Sequence, residues 1–152
     1  MQFIFYIHYP DYSPGPGAVP DEWREDLLIL DEDLLPDWRA ESFFSLEWVL
    51  AAADEVHRGE VAGSFHVDGG WRVVFQPDEP VNPEAYTALR FAFHPGDVTL
   101  PLINPGFRVF VNHELPVSLL ENRVDVTRKE WQLVEIPLVE FGLRQGIETI
   151  EL

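Results

Sequence analysis

The segment EWQLVEIPLVEFG, Glu130–Gly142, gives the clearest indication of the fold. Its apolar residues alternate loosely from Trp131 onward, which is typical of a β-strand with one buried face. Pro137 cannot donate a main-chain hydrogen bond, so it belongs at a strand end, at a bulge or on an edge strand. We therefore predict a strand that leaves its sheet at Pro137 and turns a corner at Phe141-Gly142, as strands do in β-sandwiches.

Similar short segments with β pattern occur along most of the chain, separated by Pro, Gly, Asn and Asp. They cover residues 1–9, 27–30, 60–67, 71–77, 87–97, 107–112, 131–138 and 147–152. Asp68-Gly69-Gly70 has the composition of a hairpin turn between two of them. This pattern predicts an all-β fold, an antiparallel β-sandwich or jelly roll.

Two segments do not fit the strand pattern. Residues 11–23 are rich in Pro and Gly and indicate a long loop or linker. Apolar residues from Ser45 to Gly59 have helical spacing, with a capping residue at each end, and predict one short helix. We expect an N-terminal strand and linker over residues 1–23 and a β-sandwich domain over residues 24–152.

Composition limits the possible partners. The chain has 152 residues, of which 46% are hydrophobic, and this is enough for one domain with a packed core. It has 27 acidic and 10 basic residues, for a net charge of -17, so nucleic acid is not expected as a partner. It has no cysteine, which excludes disulfides and thiolate metal sites.

No apolar run approaches the ~20 residues that cross a bilayer, so no membrane span is predicted. The first ten residues, MQFIFYIHYP, lack the basic region and the small-residue cleavage site of a signal peptide. If the protein is exported, we expect this chain to be a mature piece or one module of a larger multidomain protein.

Three of the predicted strands have the same two faces, because successive side chains of a strand point to opposite sides. One face is bulky and apolar, and we predict it to be core: Trp71, Val73, Phe75, Leu89, Phe91, Phe93, Phe107, Val109 and Val111. The other begins with arginine and ends with an amide or imidazole: Arg72, Gln76, Arg90, His94, Arg108 and Asn112.

Two interpretations of this polar face remain open. It is either a solvated surface, in which each arginine pairs with nearby carboxylates, or a groove for a sugar. Sugars are bound by planar hydrogen-bonding groups together with aromatic rings, and arginine would also suit the carboxylate of a uronic acid. Trp38 and Trp48 fall in a predicted loop region and are the candidates for stacking on a sugar.

No catalytic motif accompanies these residues. The histidines lack metal-ligand spacing, and neither a nucleophile elbow nor a His-Glu-x-x-His sequence occurs. We therefore predict no catalytic residues.

Several segments resemble the galactose-binding-domain-like jelly rolls, the carbohydrate-binding modules of bacterial polysaccharide-degrading enzymes and surface proteins. The resemblance covers roughly residues 27–152. An acidic loop, LDEDLLPDW, follows the first strand of this region, and GEVA at Gly59–Ala62 comes next. A Tyr-x-x-Leu-x-Phe strand begins at Tyr86, and a Trp-x-x-Val-x-Ile-Pro strand begins at Trp131.

The resemblance implies a glycan held on the concave sheet or in the loops at one end, and an extracellular or cell-surface location. It also implies a structural calcium ion, whose ligands here would be Asp31, Asp33 and Glu60. Family members continue into a final strand that is absent after Leu152. We expect the N-terminal QFIFYIHY to occupy that place, because proteins normally cover an exposed sheet edge.

These observations predict a non-catalytic carbohydrate-binding module that holds an attached protein on a polysaccharide. The alternative is a structural or protein-docking β-sandwich without sugar binding. A small jelly-roll lyase or hydrolase is a third possibility, since a fold alone does not determine function.

Overall fold

The protein is an antiparallel all-β structure. The computed structural model describes residues 2–8, 27–30, 34–52, 62–96, 107–119 and 123–152. Its strands are β1 (Gln2–His8), β2 (Leu27–Leu30), β3 (Trp38–Ala52), β4 (Ala62–Pro77), β5 (Ala88–His94), β6 (Arg108–Val111), β7 (Val117–Ser118), β8 (Gln132–Pro137) and β9 (Ile150–Glu151). Two 3-10 turns, Pro83–Ala85 and Leu138–Phe141, are its short helical elements in this part of the chain.

The described strands form one hydrogen-bonded network in the order β7-β6-β9-β4-β1-β5-β8, with β2 beside β1 and β3 beside β4. One edge of β4 pairs with β3. The other edge pairs with β1 at Gly63 and Ser64, and with β9 at Val74 and Phe75. The two ends of β4 therefore belong to different groups of strands, β1-β5-β8 and β9-β6-β7.

The N-terminal segment is a strand, as predicted, and it is internal rather than peripheral. β1 pairs with β5 along its full length, from Gln2↔His94 to His8↔Ala88. Its other edge pairs with β4 and β2. The predicted linker at residues 11–23 lies outside the described residues.

The predicted hairpin turn at Asp68-Gly69-Gly70 was wrong, because β4 continues through these residues. Phe44 pairs with Trp71 and Leu46 pairs with Val67, so three residues of β4 lie opposite Ser45 alone. The segment is a β-bulge, and its glycines suit the sharper bend that a bulge imposes.

The predicted helix was also wrong where the structure describes it. Residues 45–52 belong to β3, in antiparallel register with β4. Their apolar spacing fits both periods, and the pairing with the sixteen-residue β4 decided in favour of the strand. Residues 53–59 lie outside the described part of the chain.

Alternation predicted the core correctly. Eight of the nine predicted core residues are buried, and Trp71 packs against them as a half-buried residue. Residues from β8 to the end of the chain complete the same cluster: Val134, Ile136, Leu138, Phe141, Ile147, Ile150 and Leu152.

The predicted corner is present at the end of β8. The strand ends at Pro137, and a single 3-10 turn follows from Leu138 to Phe141. Gly142 closes this turn at a φ of 63°, in the left-handed region that favours glycine. Phe141 is fully buried, so the turn directs its ring back into the core.

No helix in the described residues is long and apolar enough to span a membrane.

Candidate ligand-binding site

The outer face of the sheet is formed by the side chains of β4, β9 and β6 that point away from the core. Glu151 of β9 pairs with Val74 on one side and with Phe110 on the other. Arg72 and Arg108 each lie two residues before these partners. Arg72 and Arg108 are therefore level with each other. Their strands are separated by β9, so their main chains lie about 10 Å apart.

Glu151 is the buried charge of this face. Its side chain is only 6% exposed, and Nε of Arg72 lies 2.7 Å from its Oε2 atom. The other carboxylate oxygen, Oε1, is in contact with Nδ1 of His113, whose side chain is 63% exposed. One buried carboxylate thus holds a cation and an imidazole, and both of these extend to the surface.

Phe43 of β3 gives the Arg72 side chain a second support. The two residues are direct cross-strand partners, and the guanidinium carbon of Arg72 lies 5.4 Å from the centre of the Phe43 ring. Arginine over an aromatic ring is an attractive arrangement that also restricts the guanidinium plane. The Phe43 ring remains 40% exposed, so this face presents an aromatic surface to solvent.

His113 reaches Glu151 because of an unusual turn after β6. Asn112 and His113 have φ values of 53° and 58°, and the amide of Glu114 donates to the carbonyl of Val111. Two consecutive positive φ values are typical of a type I′ turn, and Asn is among the residues that adopt this conformation most readily.

The Asn112 side chain fixes that turn to the segment before β9. Its Nδ2 donates to the carbonyl of Gly146 at 2.7 Å, and its Oδ1 accepts from the amides of Glu148 and Thr149 at 2.7 and 3.1 Å. The amide is therefore a structural clamp, although sequence analysis predicted it as a ligand contact.

Hydrogen bonding at this cluster is incomplete. Within the described ranges, the buried side-chain atoms without a hydrogen-bond partner are Nε of Arg72, Oγ1 of Thr149 and Oε1 of Glu151. Nε of Arg72 and Nδ1 of His113 nevertheless contact the two oxygens of Glu151, so these are close contacts without regular hydrogen-bond geometry. Arg72 is on β4, Glu151 is on the neighbouring β9, and Thr149 directly precedes β9.

The predicted polar face is divided between two parts of the sheet. β9 lies between β4 and β6, and β1 lies between β4 and β5. Arg90 of β5 is therefore apart from Arg72 and Arg108, and its Nε donates to Oε2 of Glu135 at 2.6 Å across the β5–β8 pairing.

His94 and Gln76 have opposite environments. His94 is 5% exposed, its Nδ1 accepts a hydrogen bond from the amide of Gly96 at 3.1 Å, and its ring lies beside that of Trp131. Gln76 is exposed at the end of β4, where it pairs with Arg39 of β3. Gln76 is accessible to a ligand on the outer face, whereas His94 is part of the interior.

The tryptophans are not in a loop, so that part of the prediction was wrong. Trp38 begins β3 and is 5% exposed within the core cluster, which leaves no ring face open for stacking. Trp48 also lies in β3, opposite Phe65. Residues after Pro36 form the long partner of β4, and this pairing was not visible in the local sequence.

The predicted calcium ligands Asp31, Asp33 and Glu60 all lie outside the described residues. Among the residues that are described, no group of three His, Asp or Glu side chains is placed to hold a metal ion.

Sequence analysis missed Phe43, His113 and Glu151 as site residues. Phe43 was placed in a loop, His113 was interpreted as a satisfied or exposed histidine, and Glu151 was one of 27 acidic residues. Their association depends on strand pairings between distant segments. The local signal for this site in the sequence was Asn112-His113. These two residues have the composition of a turn, and they directly follow the strand that carries Arg108 on its outer face.

Comparisons with known protein families, with curated proteins and with solved structures found no match.

Proposed function

We propose that the chain is a non-catalytic carbohydrate-binding module that holds an attached protein on a polysaccharide outside the cell. The sugar would lie on the outer face of β3, β4, β9 and β6. The observation that supports this most strongly is the guanidinium of Arg72, oriented by Glu151 and by the exposed ring of Phe43.

The chemistry of this face suits a sugar ring. Phe43 offers an apolar surface for the C–H side of the ring, and Arg72, Arg108 and Gln76 offer hydrogen-bonding groups around it. These groups stand on paired strands, which hold them more rigidly than loops would. In this proposal Phe43 and Phe110 take the role that the sequence suggested for the tryptophans.

The proposed architecture is a galactose-binding-domain-like β-sandwich of the jelly-roll type. Antiparallel pairing throughout and the two groups of strands that share β4 are consistent with it. A structural calcium ion at Asp31, Asp33 and Glu60 stays a prediction, and isothermal titration of the metal-free chain with Ca²⁺ tests it.

Affinity electrophoresis against soluble neutral and uronic-acid polysaccharides tests the proposed function. We expect at least one polysaccharide to retard the chain, and Phe43→Ala to weaken binding about tenfold through loss of the aromatic contact. Val139→Ala is the matched control, because Val139 is 84% exposed on the turn after β8, and it should bind like the native chain.

Absence of retardation by every polysaccharide, for a chain with the circular dichroism of a folded β protein, would contradict sugar binding. Equal weakening by Phe43→Ala and Val139→Ala would instead contradict this location of the site.

The second candidate function is a structural or protein-docking module. The internal partners of Arg90 and Asn112 favour it, as does the exposure of Leu133 and Val139. Its specific expectation is self-association through β8. Sedimentation equilibrium tests this. We expect twice the mass of one chain for the native protein and the mass of a single chain for Leu133→Glu.

A further inference from the structure

Arg72 and His113 are neighbours because they share one carboxylate. Nε of Arg72 and Nδ1 of His113 each contact a different oxygen of Glu151. The inner nitrogens of both side chains are therefore directed at Glu151. This leaves the outer groups, Nη1 and Nη2 of the guanidinium and Nε2 of the imidazole, for other partners, and the two side chains are 40% and 63% exposed.

Glu151 connects side chains from three parts of the sheet. It is on β9, Arg72 is on β4, and His113 belongs to the turn that follows β6. The positive φ values of Asn112 and His113 and the clamp of Asn112 on residues 146–149 fix the imidazole relative to β9. The two outer groups are thus held without a ligand being needed to order them.

The cluster combines a buried carboxylate with two partners that reach solvent. Within the described residues, the buried side-chain atoms that lack a hydrogen bond of regular geometry are Nε of Arg72, Oε1 of Glu151 and Oγ1 of Thr149, and the first two are in contact with Oε2 of Glu151 and Nδ1 of His113. Arg72 also lies over the exposed residue Phe43, and ordered polar groups beside an aromatic ring suit a sugar.

We infer that Arg72 and His113, held side by side by Glu151, form a subsite for two adjacent hydroxyl groups of a neutral sugar. Arg72 donates hydrogen bonds to one hydroxyl oxygen. The imidazole Nε2 accepts the proton of the neighbouring hydroxyl while Nδ1–H faces the carboxylate. Glu151 is a positioning residue, which acts on the sugar only through the other two. This inference rests on the proposed function and specifies its ligand.

Charge favours a neutral sugar over an acidic one. Glu151 neutralises Arg72 within the subsite, and the exposed Glu41 pairs with Val74 on the same face. The chain as a whole carries a net charge of -17, which repels a polyanion at moderate ionic strength. A vicinal pair of hydroxyls needs one donor and one acceptor, and the subsite offers both without a net charge.

The test measures binding of the full chain to a retarding neutral polysaccharide, and then to methyl glycosides of its sugar and their monodeoxy analogues. We expect removal of one of two adjacent hydroxyls to lower the affinity of the native chain about five- to tenfold. Arg72→Lys and His113→Asn should each lower the affinity for the parent glycoside by a similar factor. The monodeoxy analogue should then bind these variants no worse than the parent does.

His113→Asn is chosen because asparagine accepts the positive φ at this position, whereas its shorter side chain cannot reach the ligand. Arg128→Lys is the matched control, since Arg128 is an exposed arginine that pairs with the surface carboxylate of Glu130. Thermal unfolding of each variant establishes that the fold is kept.

The outcomes separate this inference from the proposed function. No retardation by any polysaccharide contradicts both. Neutral binding that His113→Asn and Arg72→Lys leave unchanged contradicts the subsite alone, and so does binding of uronic-acid polymers only. A hydroxyl dependence that disappears in both variants, and persists in Arg128→Lys, supports the subsite.

Discussion

Nε of Arg72 lies 2.7 Å from Oε2 of Glu151, and only 6% of the Glu151 side chain is exposed. Removing one partner of such a pair leaves the other charge unpaired, which is strongly unfavourable for a buried carboxylate. The Arg72 side chain is itself 40% exposed, so solvent screens part of the interaction.

Glu151→Gln is expected to destabilise the fold by about 1–3 kcal/mol, since Arg72 and His113 lose their common partner. Urea unfolding followed by tryptophan fluorescence measures this. Glu130→Gln is the control, because the Arg128–Glu130 pair is exposed on both sides and should change stability by less than about 0.5 kcal/mol. Equal stability of the two variants would show that Glu151 has no special role.

Asn112 should be important for both its backbone and its side chain. Asn112→Ala loses three hydrogen bonds and places alanine at a φ of 53°, with an expected cost of about 2–4 kcal/mol. Asn112→Gly keeps the backbone conformation and should cost about 1 kcal/mol less than alanine. Urea titration of both variants measures the difference. If glycine proves worse than alanine, the positive φ does not contribute.

The sequence predicts the strands that form this site better than it predicts which of their side chains meet. Alternation found the core faces of three strands, including Phe75 and Phe91, because burial of one strand face is a local pattern of period two. Pro137 marked the end of β8 for an equally local reason, its missing N–H group.

Long-range pairing was not accessible to the same reasoning. Ser45 faces a three-residue bulge rather than starting a helix, because β3 finds its partner in β4. Glu151 contacts His113 because β9 lies between β4 and β6. Local periodicity contains neither the register nor the strand order. It placed the arginines on the face opposite the core, but it could not show that β1 separates β5, which carries Arg90, from β4.

Asp125 should titrate below its usual range. The hydroxyl and the amide of Thr127 both donate to its Oδ1, at 2.6 and 2.9 Å, and these bonds lower the pKa of Asp125 from its ordinary value of 3.8. Thr127→Val removes the hydroxyl donor, so the pKa of Asp125 should rise toward 3.8. An NMR titration of the carboxyl carbon measures the change.

The same shift fixes the sign of a pH effect on stability. Because the pKa of Asp125 is lower in the folded chain, its contribution to stability is present above the ordinary value. That contribution is lost as the pH falls through the lowered value. The native chain and Thr127→Val should therefore differ in stability at neutral pH and converge in strong acid. A constant difference at all pH values would contradict this account.

Two glycines near the C-terminal end of the described chain should respond differently to alanine. Gly142 has a φ of 63°, with nothing within 4 Å of the position of an added Cβ. Gly142→Ala should therefore cost about 1 kcal/mol through backbone strain alone, and Gly142→Asn less than that because asparagine tolerates this region. At Gly146 an added Cβ would lie 2.9 Å from Cβ of Pro80.

Gly146→Ala should cost more than Gly142→Ala, since the Pro80 ring or the Gly146 backbone must move to relieve the contact. That backbone is also tied to Asn112 through the Gly146 carbonyl. A shift there should disturb the turn that carries His113, so Gly146→Ala should weaken binding of a neutral glycoside while Gly142→Ala leaves it unchanged. Urea unfolding and glycoside titration of the two variants test this together. Loss of binding in Gly142→Ala would mean that the corner after β8, and not the Asn112 clamp, supports the ligand face.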